Sequence, residues 1–590
     1  MNIKNITIKN FRNFKDFVID FSEGFQTIIG ENNIGKSNLY WAIRLVLDKE
    51  LSYNSRKLEL KDFHGYKKAV SLDDYILISI EFFSEKLAHF PTFHAFKTGD
   101  NTARITYVYA HKNKFNEDET VPDKIELNDF NWRLFAGNQT FDLAELIAKS
   151  AQISFRDLEG INLYYINAFR NINADLHGST KSLLSKYCQS REKVEEELAS
   201  VRTILEKSSN DLDKLPFIPE LAKTIQDKGV NIAGQYFSFP IAISFLSDYD
   251  VDAWSQLNLF FSPEAGNNIP IHFLGLGQKN ILYLSLFVAE LENSSQQHEI
   301  NILLIEEPEA HLHPQLQKIL FANLNELKTT QVFMTSHSTH IASDCDYKNL
   351  NILFKNKDKE VKSFSPFKDG LLTERENLLL KRYLDATRSE MFFASAIIYV
   401  EGVGEQFIIP AIAKEVYGIN LTEHNISLIP IHSRYFDPYL KIVQDTKLEI
   451  PTAAIIDGDS AELKDEDETT TTVENARKLE VANRVVVFSG NDTLEIDLFP
   501  DPITNNSYLK SSFENLNHKQ SFANLIKETK DNDDNWGREL ISRIDQTVMK
   551  GRFAQELSLL IDENFEVPSY IQDAILHIAK CKNIKVKNAE

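Results

Sequence analysis

The chain has 590 residues, and 86 acidic against 64 basic residues give a formal net charge of −22, which argues against a protein that coats nucleic acid by charge alone. A 43% hydrophobic fraction excludes wholesale disorder. The chain contains neither a run of about 18 apolar residues nor an apolar signal core, so we do not expect a membrane-spanning or secreted protein. The length suggests about three to five domain-sized units, and three scattered cysteines (Cys188, Cys345 and Cys581) predict a cytoplasmic location without a disulfide framework.

The first motif lies near the N-terminus, after two predicted strands at residues 3–8 and 26–29. The second strand runs into GENNIGKS, a complete G-x-x-x-x-G-K-S pattern, and a helical stretch follows at residues 38–47. Such a loop turns its backbone N–H groups toward phosphate oxygens, while the lysine reaches the β- and γ-phosphates and the serine places its hydroxyl on Mg²⁺. We therefore predict an ATP site formed by Gly30, Asn32, Asn33, Gly35, Lys36 and Ser37.

Two further strands supply groups that an ATP site requires. The strand predicted at residues 301–305 ends in Glu306, placed to hold Mg²⁺, and Glu307, placed to act as a general base toward water. The strand predicted at residues 331–335 leads to His337, which could contact the γ-phosphate. A histidine alone would more often be structural, but its position after the acidic strand favours a role in the site.

A glycine-rich turn at residues 274–280 precedes an apolar helix predicted at residues 281–291. Its Gly275, Gly277 and Gln278 form a second candidate anion site. The chain order is phosphate loop, glycine-rich turn, acidic strand and histidine strand, and this set resembles the ATP-binding-cassette (ABC) ATPases of the structural-maintenance and RecF-like type. In that family the turn of one subunit closes over the ATP of another, which implies a homodimer or higher homo-oligomer. The sequence of residues 274–280 departs from the commonest form of that signature motif.

The long gap between the first two motifs contains a short amphipathic segment at residues 191–207. Its Val194, Leu198, Val201 and Leu205 share one stripe, with charges on the other face. The stripe is too short for a long coiled coil. A helical dimerisation insert over about residues 175–240 and an ordinary surface helix are both consistent with it.

A second set of motifs begins after about residue 370. Short apolar strands are predicted at residues 396–400, 453–456 and 484–489, and each is followed by carboxylates. If the strands are parallel and adjacent, these carboxylates meet at one edge of the sheet, where they repel one another unless divalent cations lie among them. Oxygen ligands favour Mg²⁺ or Mn²⁺. The carboxylates concerned are Glu401, Glu405, Asp457, Asp459, Glu495 and Asp497.

Glu401-Gly402 together with Asp457-x-Asp459 resembles the Toprim domain of topoisomerases, primases and overcoming-lysogenization-defect (OLD) nucleases. Three scattered cysteines cannot build the zinc ribbon expected of a primase, and little chain remains for the tyrosine domain of a topoisomerase. Residues 382–394, 493–498 and 550–554 look like the corresponding OLD segments, so the resemblance to OLD-family ATP-dependent endonucleases covers nearly the whole chain.

The resemblance implies an α/β protein with an ABC-type, RecF-like P-loop ATPase domain at residues 1–380 and a Rossmann-like Toprim nuclease domain with a C-terminal helical part at residues 390–590. The six carboxylates would hold two Mg²⁺ or Mn²⁺ ions, and Lys550 would lie near the scissile phosphate of double-stranded DNA. The family context is antiphage defence, with a helicase-like partner in Gabija systems or a reverse transcriptase with its small DNA in retrons. The alternative function is an ATP-gated DNA-binding sensor or scaffold that does not cut.

Overall fold

The computed structural model divides the chain into two compact units, residues 1–365 and 366–590. No helix of the described residues is long and apolar enough to cross a membrane. The residues that the structure describes are 1–85, 87, 90, 93, 96–115, 124–167, 216–235, 240–245, 257–262, 269–294, 300–310, 312–327, 329–339, 349–365, 372–383, 388–433, 435–444, 449–458, 466–529 and 535–587.

The first unit combines three sheets with five described helices. Its strands are β1 (Asn2–Phe11), β2 (Phe14–Asp20), β3 (Gln26–Gly30), β4 (Tyr75–Phe83), β5 (Thr102–His111), β6 (Phe130–Ala136), β7 (Ala151–Ile153), β8 (Ile161–Ile166), β9 (Ile241–Phe245), β10 (Leu257–Phe261), β11 (Ile269–Pro270), β12 (Ile300–Glu306), β13 (Gln331–Thr335), β14 (Leu350–Lys355) and β15 (Val361–Phe364). Its helices are α1 (Lys36–Leu47), α2 (Leu143–Lys149), α3 (Phe217–Ala233), α4 (Leu276–Ser294) and α5 (Pro314–Asn325).

Two six-stranded sheets form the body of this unit. One is antiparallel, in the order β2-β1-β4-β5-β6-β7. The other has the order β15-β14-β3-β13-β12-β8 and is parallel except at β15. The parallel strands β3, β12 and β13 carry the three predicted nucleotide motifs, so those motifs follow adjacent strand ends at one edge of the sheet.

A single hydrophobic core joins the two sheets and α1. The buried face of α1 includes Leu39, Ile43 and Val46, which belong to the same core as side chains of both sheets. Full burial of such a side chain contributes about 1.5–3 kcal/mol. The side chain of Gln331 also links the sheets, because it accepts a hydrogen bond from the Ile3 N–H at 2.6 Å and donates one to the Ile3 carbonyl at 3.0 Å. Because its buried face packs into this core, α1, the helix that begins at the phosphate loop, is held against both sheets.

The second unit is a four-stranded parallel sheet, in the order β17-β16-β18-β19, with helices around it. The strands are β16 (Ala396–Val400), β17 (Ile426–Pro430), β18 (Thr452–Ile456) and β19 (Val485–Ser489). The helices are α6 (Glu374–Tyr383), α7 (Val403–Ala411), α8 (Asp437–Gln444), α9 (Glu466–Arg477), α10 (Leu494–Leu498), α11 (Asn506–Asn515), α12 (Lys519–Thr529), α13 (Trp536–Arg543), α14 (Lys550–Leu560) and α15 (Ser569–Lys582).

The predicted strands are present, with ends that differ by up to three residues, and some other boundaries differ more. The helix expected from residue 281 begins at Leu276, so part of the glycine-rich turn is helical. Helix α6, which the sequence grouped with the first domain, belongs to the second unit, where Glu376 pairs with Lys441 of α8 at 2.5 Å. The stripe at residues 191–207 lies outside the described residues, and only the later part of the expected insert, around α3, is described.

Candidate active sites

The phosphate loop follows β3 and requires two glycines for different reasons. Gly30 has a φ of +151°, and a Cβ there would lie 2.5 Å from the carbonyl oxygen of Leu353 on the neighbouring strand. Gly35 has a φ of +118°, and a Cβ there would meet the side chain of Asn13. Asn33 is also left-handed, with a φ of +62°, a conformation that asparagine tolerates better than most residues. The sequence pattern therefore corresponds to a strained, tightly packed turn.

Lys36 is buried at the first position of α1 and lies across this loop. Its Nζ donates hydrogen bonds to the carbonyl oxygens of Gly30 at 2.8 Å and Glu31 at 3.0 Å. Burial lowers the pKa of Lys36 to about 8, although the nearby carboxylates led by Glu307 oppose that shift. The amine is thus held within the loop, where a phosphate oxygen can replace the two carbonyls as its partner.

Glu307 stands in an unusual backbone conformation directly after β12. Its φ is +42°, and its N–H donates to the Thr335 carbonyl at 3.1 Å, which ties the turn to the end of β13. Glu306, the preceding residue, is buried at the end of the strand. Positive φ in a non-glycine residue is costly and is often found at functional sites.

His337 lies beside Glu307, with 3.5 Å between its Nε2 and Oε1 of the glutamate. Burial and the positive charge of Lys36 lower the pKa of His337, against the opposing effect of Glu307. These residues share a cavity of about 490 Å³. The residues lining it are Asn32, Asn33, Gly35, Lys36, Ser37, Asn38, Tyr66, Glu307, Thr335 and His337.

Glu309 connects the acidic turn to the histidine, a role that the sequence analysis did not identify. Its Oε1 accepts hydrogen bonds from the Ser336 hydroxyl at 2.7 Å and from the His337 N–H at 2.8 Å. Burial raises the pKa of Glu309. From α4, the Asn280 amide donates to the carbonyls of Pro308 and Ala310 at 3.3 and 3.0 Å. The acidic turn is therefore bound to the histidine segment through Glu309 and to α4 through Asn280.

The glycine-rich turn does not reach this cavity. Gly275, Gly277 and Gln278 are absent from its lining, and the Gln278 side chain instead accepts a hydrogen bond from the Gly275 N–H at 3.3 Å. Their contact with a nucleotide, which the sequence analysis expects from a second subunit, stays a prediction.

Two of the predicted metal ligands, Glu401 and Asp457, follow β16 and β18. These strands are parallel neighbours, and Tyr399 pairs with Ala454, so the residues that follow them meet. The Asp457 N–H donates to Oε1 of Glu401 at 3.2 Å, and Asp457 Oδ2 accepts from the Leu494 N–H at 3.4 Å. Oδ1 of Asp457 is buried and has no hydrogen-bond partner in the described part of the chain. That atom is available as a ligand.

Glu405 and Glu495 bring further negative charge to the same place. Glu405 lies in the first turn of α7 and accepts a hydrogen bond from the Gly402 N–H at 3.1 Å. Burial, followed by the charges of Glu405, Glu401 and Glu495, raises the pKa of Asp457 well above its ordinary value. Burial and the charge of Glu495 raise the pKa of Glu405 as well. A divalent cation would relieve this repulsion, so the donor set fits Mg²⁺ or Mn²⁺.

The carboxylates do not already surround one point. Among the described residues, no three His, Cys, Asp or Glu side chains form a ready group of metal ligands, and Asp459 lies outside the described residues. Lys550, the first residue of α14, places its Nζ 3.4 Å from Oε2 of Glu495. It follows Met549, which has a φ of +67°. The lysine is therefore next to Glu495, and its contact with the scissile phosphate stays a prediction.

Asp497 differs from the other predicted ligands. Its Oδ2 accepts hydrogen bonds from the N–H groups of Asn491 and Asp492 at 3.1 and 3.3 Å, so the carboxylate holds the loop after β19. Tyr570 of α15 is buried nearby, and burial followed by Asp457, Asp497 and Glu405 raises its pKa well above the ordinary value. The sequence analysis did not identify Tyr570, because nothing near it in the chain marks it.

The two units thus define a P-loop ATPase joined to a Toprim domain. The family model described as AAA ATPase domain matches residues 1–342, and the model described as overcoming lysogenization defect protein-like, TOPRIM domain matches residues 392–459. Because the first match spans more than half of the chain, the protein belongs to the AAA ATPase domain family, and its second unit carries an OLD-like Toprim domain. The predicted combination of domains is confirmed.

Two named relatives match more than two thirds of the chain, and a solved structure matches about a third of it. The chain is 22% identical over 453 residues to endonuclease GajA of Bacillus cereus strain VD045, covering 75% of this chain and 73% of that protein. It is 24% identical over 420 residues to the OLD nuclease of Thermus scotoductus, covering 68% of this chain and 72% of that protein. A solved C-terminal region of the Burkholderia pseudomallei OLD protein is 26% identical, with a TM-score of 0.27, and covers 32% of this chain and 99% of that one.

Two loops approach each other closely beside the candidate metal ligands, which leads to a stability prediction. A Cβ on Gly458 would lie 2.3 Å from the Gly490 carbonyl oxygen and 2.5 Å from the Asn491 carbonyl carbon. Because backbone atoms cannot move aside as a flexible side chain can, we expect Gly458→Ala to lower the free energy of unfolding of the second unit by about 1–3 kcal/mol. Differential scanning calorimetry measures the effect.

Gly551→Ala is the matched control. A Cβ there would make an ordinary contact, 3.7 Å from Cγ1 of Val403, and alanine is favoured over glycine within a helix. Its melting temperature is expected to equal or exceed that of the wild type. Equal melting temperatures for Gly458→Ala and the wild type would contradict the proposed close approach.

Proposed function

We propose that the protein is an ATP-hydrolysing, metal-dependent endonuclease that cleaves double-stranded DNA at its Toprim site. The observation that carries the proposal is the acidic group at one edge of the second sheet. There Asp457 donates a hydrogen bond to Glu401, Glu405 and Glu495 add negative charge, and Lys550 lies beside Glu495. The names of two relatives, an endonuclease and a nuclease, support the same reaction class. Phosphodiester hydrolysis requires groups that offset negative charge and activate water.

In the ATPase domain, the residues of the cavity divide the work of hydrolysis. Lys36 and the N–H groups of the loop bind the β- and γ-phosphates, while Ser37 and Glu306 would hold Mg²⁺. Glu307 accepts the proton of the attacking water, because its carboxylate lies in the cavity beside His337. His337 orients the γ-phosphate, and Glu309 fixes the histidine backbone.

In the Toprim domain, Glu401, Glu405, Asp457, Asp459 and Glu495 would hold two divalent ions, and Asp497 is the remaining candidate from the sequence. When bound, such ions lower the pKa of an attacking water and stabilise the leaving oxygen. The lysine at position 550 has a separate role. Its ammonium group lies beside Glu495 at the helix start and contacts the scissile phosphate, where it offsets the charge that develops during cleavage.

The assembly and its setting are proposals that rest on the family resemblance. They comprise a homodimer or higher homo-oligomer in the cytoplasm, a role in antiphage defence, and a partner that is either helicase-like or a reverse transcriptase with its small DNA. ATP sites closed by the glycine-rich turn of a second subunit give the homo-oligomer its physical reason. Light scattering of the full chain with and without nucleotide measures the stoichiometry directly.

The nucleotide site yields the first activity prediction. Lys36→Ala should weaken ATP binding because it removes a positive charge from the phosphates. Glu307→Gln should bind ATP normally and hydrolyse it about 100-fold or more slowly, because the amide cannot accept the proton. Phosphate release and equilibrium binding separate the two effects. Glu23→Gln, an exposed carboxylate outside the cavity, is the control. Wild-type hydrolysis by Glu307→Gln would show that another group activates the water.

The proposed DNA-cleavage site yields the second activity prediction. Asp457→Asn and Glu401→Gln should abolish nicking of supercoiled plasmid in Mg²⁺ or Mn²⁺ while ATP hydrolysis stays near the wild-type rate. Each change removes a negative ligand and keeps the side-chain volume, so the fold should remain intact or gain stability as repulsion falls. Lys550→Ala should slow cleavage and leave Mn²⁺ binding unchanged. Glu423→Gln, an exposed carboxylate of the same unit, should cut normally.

Two outcomes would overturn this assignment in different ways. A folded Asp457→Asn, Asp459→Asn double variant that nicks plasmid at the wild-type rate would move the chemistry elsewhere in the protein. A wild-type protein that binds DNA and hydrolyses ATP but produces no nicked or linear plasmid would instead favour the sensor or scaffold function.

Asp497→Asn decides between a metal ligand and a loop anchor. The amide oxygen of asparagine can still accept the N–H groups of Asn491 and Asp492, but it carries no negative charge. If the hydrogen bonds described above are its main role, the variant should cleave DNA close to the wild-type rate with unchanged Mn²⁺ affinity. Asp497→Ala should then lower the melting temperature of the second unit. Loss of Mn²⁺ binding in Asp497→Asn would establish it as a ligand instead.

A further inference from the structure

The nucleotide cavity contains one aromatic residue that the phosphate chemistry does not use. Tyr66 lines the cavity together with Lys36, Ser37 and Glu307, and 71% of its surface is exposed. Within the described residues its side chain makes no hydrogen bond, ring contact or ion pair. An exposed tyrosine is ordinary on a protein surface, so its position must carry the argument.

The backbone that presents Tyr66 is strained. Gly65 has a φ of +81° and Tyr66 has a φ of +54°, so two successive residues are left-handed. For a bulky residue such as tyrosine this conformation is a true outlier. Strain of this kind persists only where the surrounding structure imposes it, and it is concentrated at ligand-binding sites.

Hydrogen bonds and a buried ring hold the segment before Tyr66 in place. His64 donates its N–H to the Asn10 carbonyl at 2.9 Å, Arg12 donates its N–H to the Asp62 carbonyl at 2.7 Å, and the ring of Phe63 is buried in the core. The Tyr66 N–H closes the turn on the Phe63 carbonyl at 3.1 Å. The segment before Tyr66 is thus fastened to the β1–β2 hairpin, while the tyrosine itself projects from it.

The remaining lining residues account for the polar part of a nucleotide. In the proposed ATP site the loop and Lys36 bind phosphates, and Glu307 and the His337 imidazole act at the γ-phosphate. The ring of Tyr66 is therefore the aromatic surface of this lining that is left for a base. A base needs such a surface, since stacking on an aromatic ring is a main source of its binding energy. We propose that Tyr66 stacks against the base of the bound nucleotide and so supplies the base-dependent part of nucleotide affinity.

This inference rests on the proposed ATP site and adds a specificity prediction to it. Every base has a π-face, so stacking alone discriminates weakly between purines. Removal of the ring should weaken the binding of ATP and GTP to a similar degree. It should leave ligands without a base unaffected.

The test compares two probes on the full-length protein by isothermal titration calorimetry in Mg²⁺. The probes are the non-hydrolysable ATP analogue AMPPNP and inorganic tripolyphosphate, which lacks both base and sugar. Tyr66→Ala should weaken AMPPNP binding by about 5- to 100-fold, the range expected for the loss of one stacked base, and leave tripolyphosphate binding unchanged. Tyr66→Phe should bind both probes as the wild type does.

Controls separate this inference from the function on which it rests. Tyr53→Ala removes another exposed tyrosine of the same unit, whose ring lies against Trp132 and not in the cavity, and it should not alter AMPPNP binding. Tyr66→Leu keeps apolar bulk without a π-face and should also weaken AMPPNP. Wild-type AMPPNP affinity in Tyr66→Ala or Tyr66→Leu, or an equal loss of both probes, would overturn the stacking role. If the wild type binds neither probe, the proposed ATP site itself is wrong.

Discussion

Parallel strands end at one edge of their sheet, and both candidate sites depend on this constraint. In the first unit, β3, β12 and β13 are neighbours, so a phosphate loop, an acidic turn and a histidine that are far apart in the chain meet around one cavity. In the second unit, β16 and β18 bring Glu401 and Asp457 into hydrogen-bond contact in the same way. The two chemistries therefore use the same architectural rule on two separate sheets.

The rule has an electrostatic cost in the second unit. Burial and the neighbouring carboxylates raise the pKa of Asp457 above its ordinary value, and burial raises that of Glu405. A carboxyl group whose pKa is higher in the folded than in the unfolded chain binds more protons when folded, so it favours folding at low pH. That contribution is lost as the pH rises through the interval between the two pKa values. At neutral pH a bound cation would offset the repulsion that remains, which couples stability to metal binding.

The sequence predicted those parts of the sites that depend on neighbours in the chain. A loop with two glycines and a lysine, or an apolar strand that ends in two acids, is visible without a structure because each strand end and its motif are contiguous. Asp497 shows where prediction from neighbouring residues in the chain stops working. Residues 494–498 form a helix, where positions two apart differ in direction by about 200°. Glu495 and Asp497 therefore face different surroundings, whereas in an extended segment they would share a face.

Other residues were not predictable, because their roles arise from tertiary contacts alone. Tyr66 is brought to the cavity by a turn anchored on the β1–β2 hairpin, and Tyr570 reaches the acidic group from a helix near the end of the chain. Glu309 was visible as one more acid after a strand, but its two hydrogen bonds to the histidine segment were not. In each case the sequence contains the residue and no local pattern that marks its partner.

The left-handed backbone of Glu307 has a consequence for the substitutions that this position tolerates during evolution. A non-glycine residue in that conformation costs about 1–3 kcal/mol, and glycine or asparagine would adopt it more easily. Substitutions that relax the turn are therefore easy to reach and would make the folded state more stable. Stability alone therefore does not favour a glutamate at this position. The water-activating role proposed for its carboxylate, which glycine and asparagine cannot perform, gives a physical reason for a glutamate at this position.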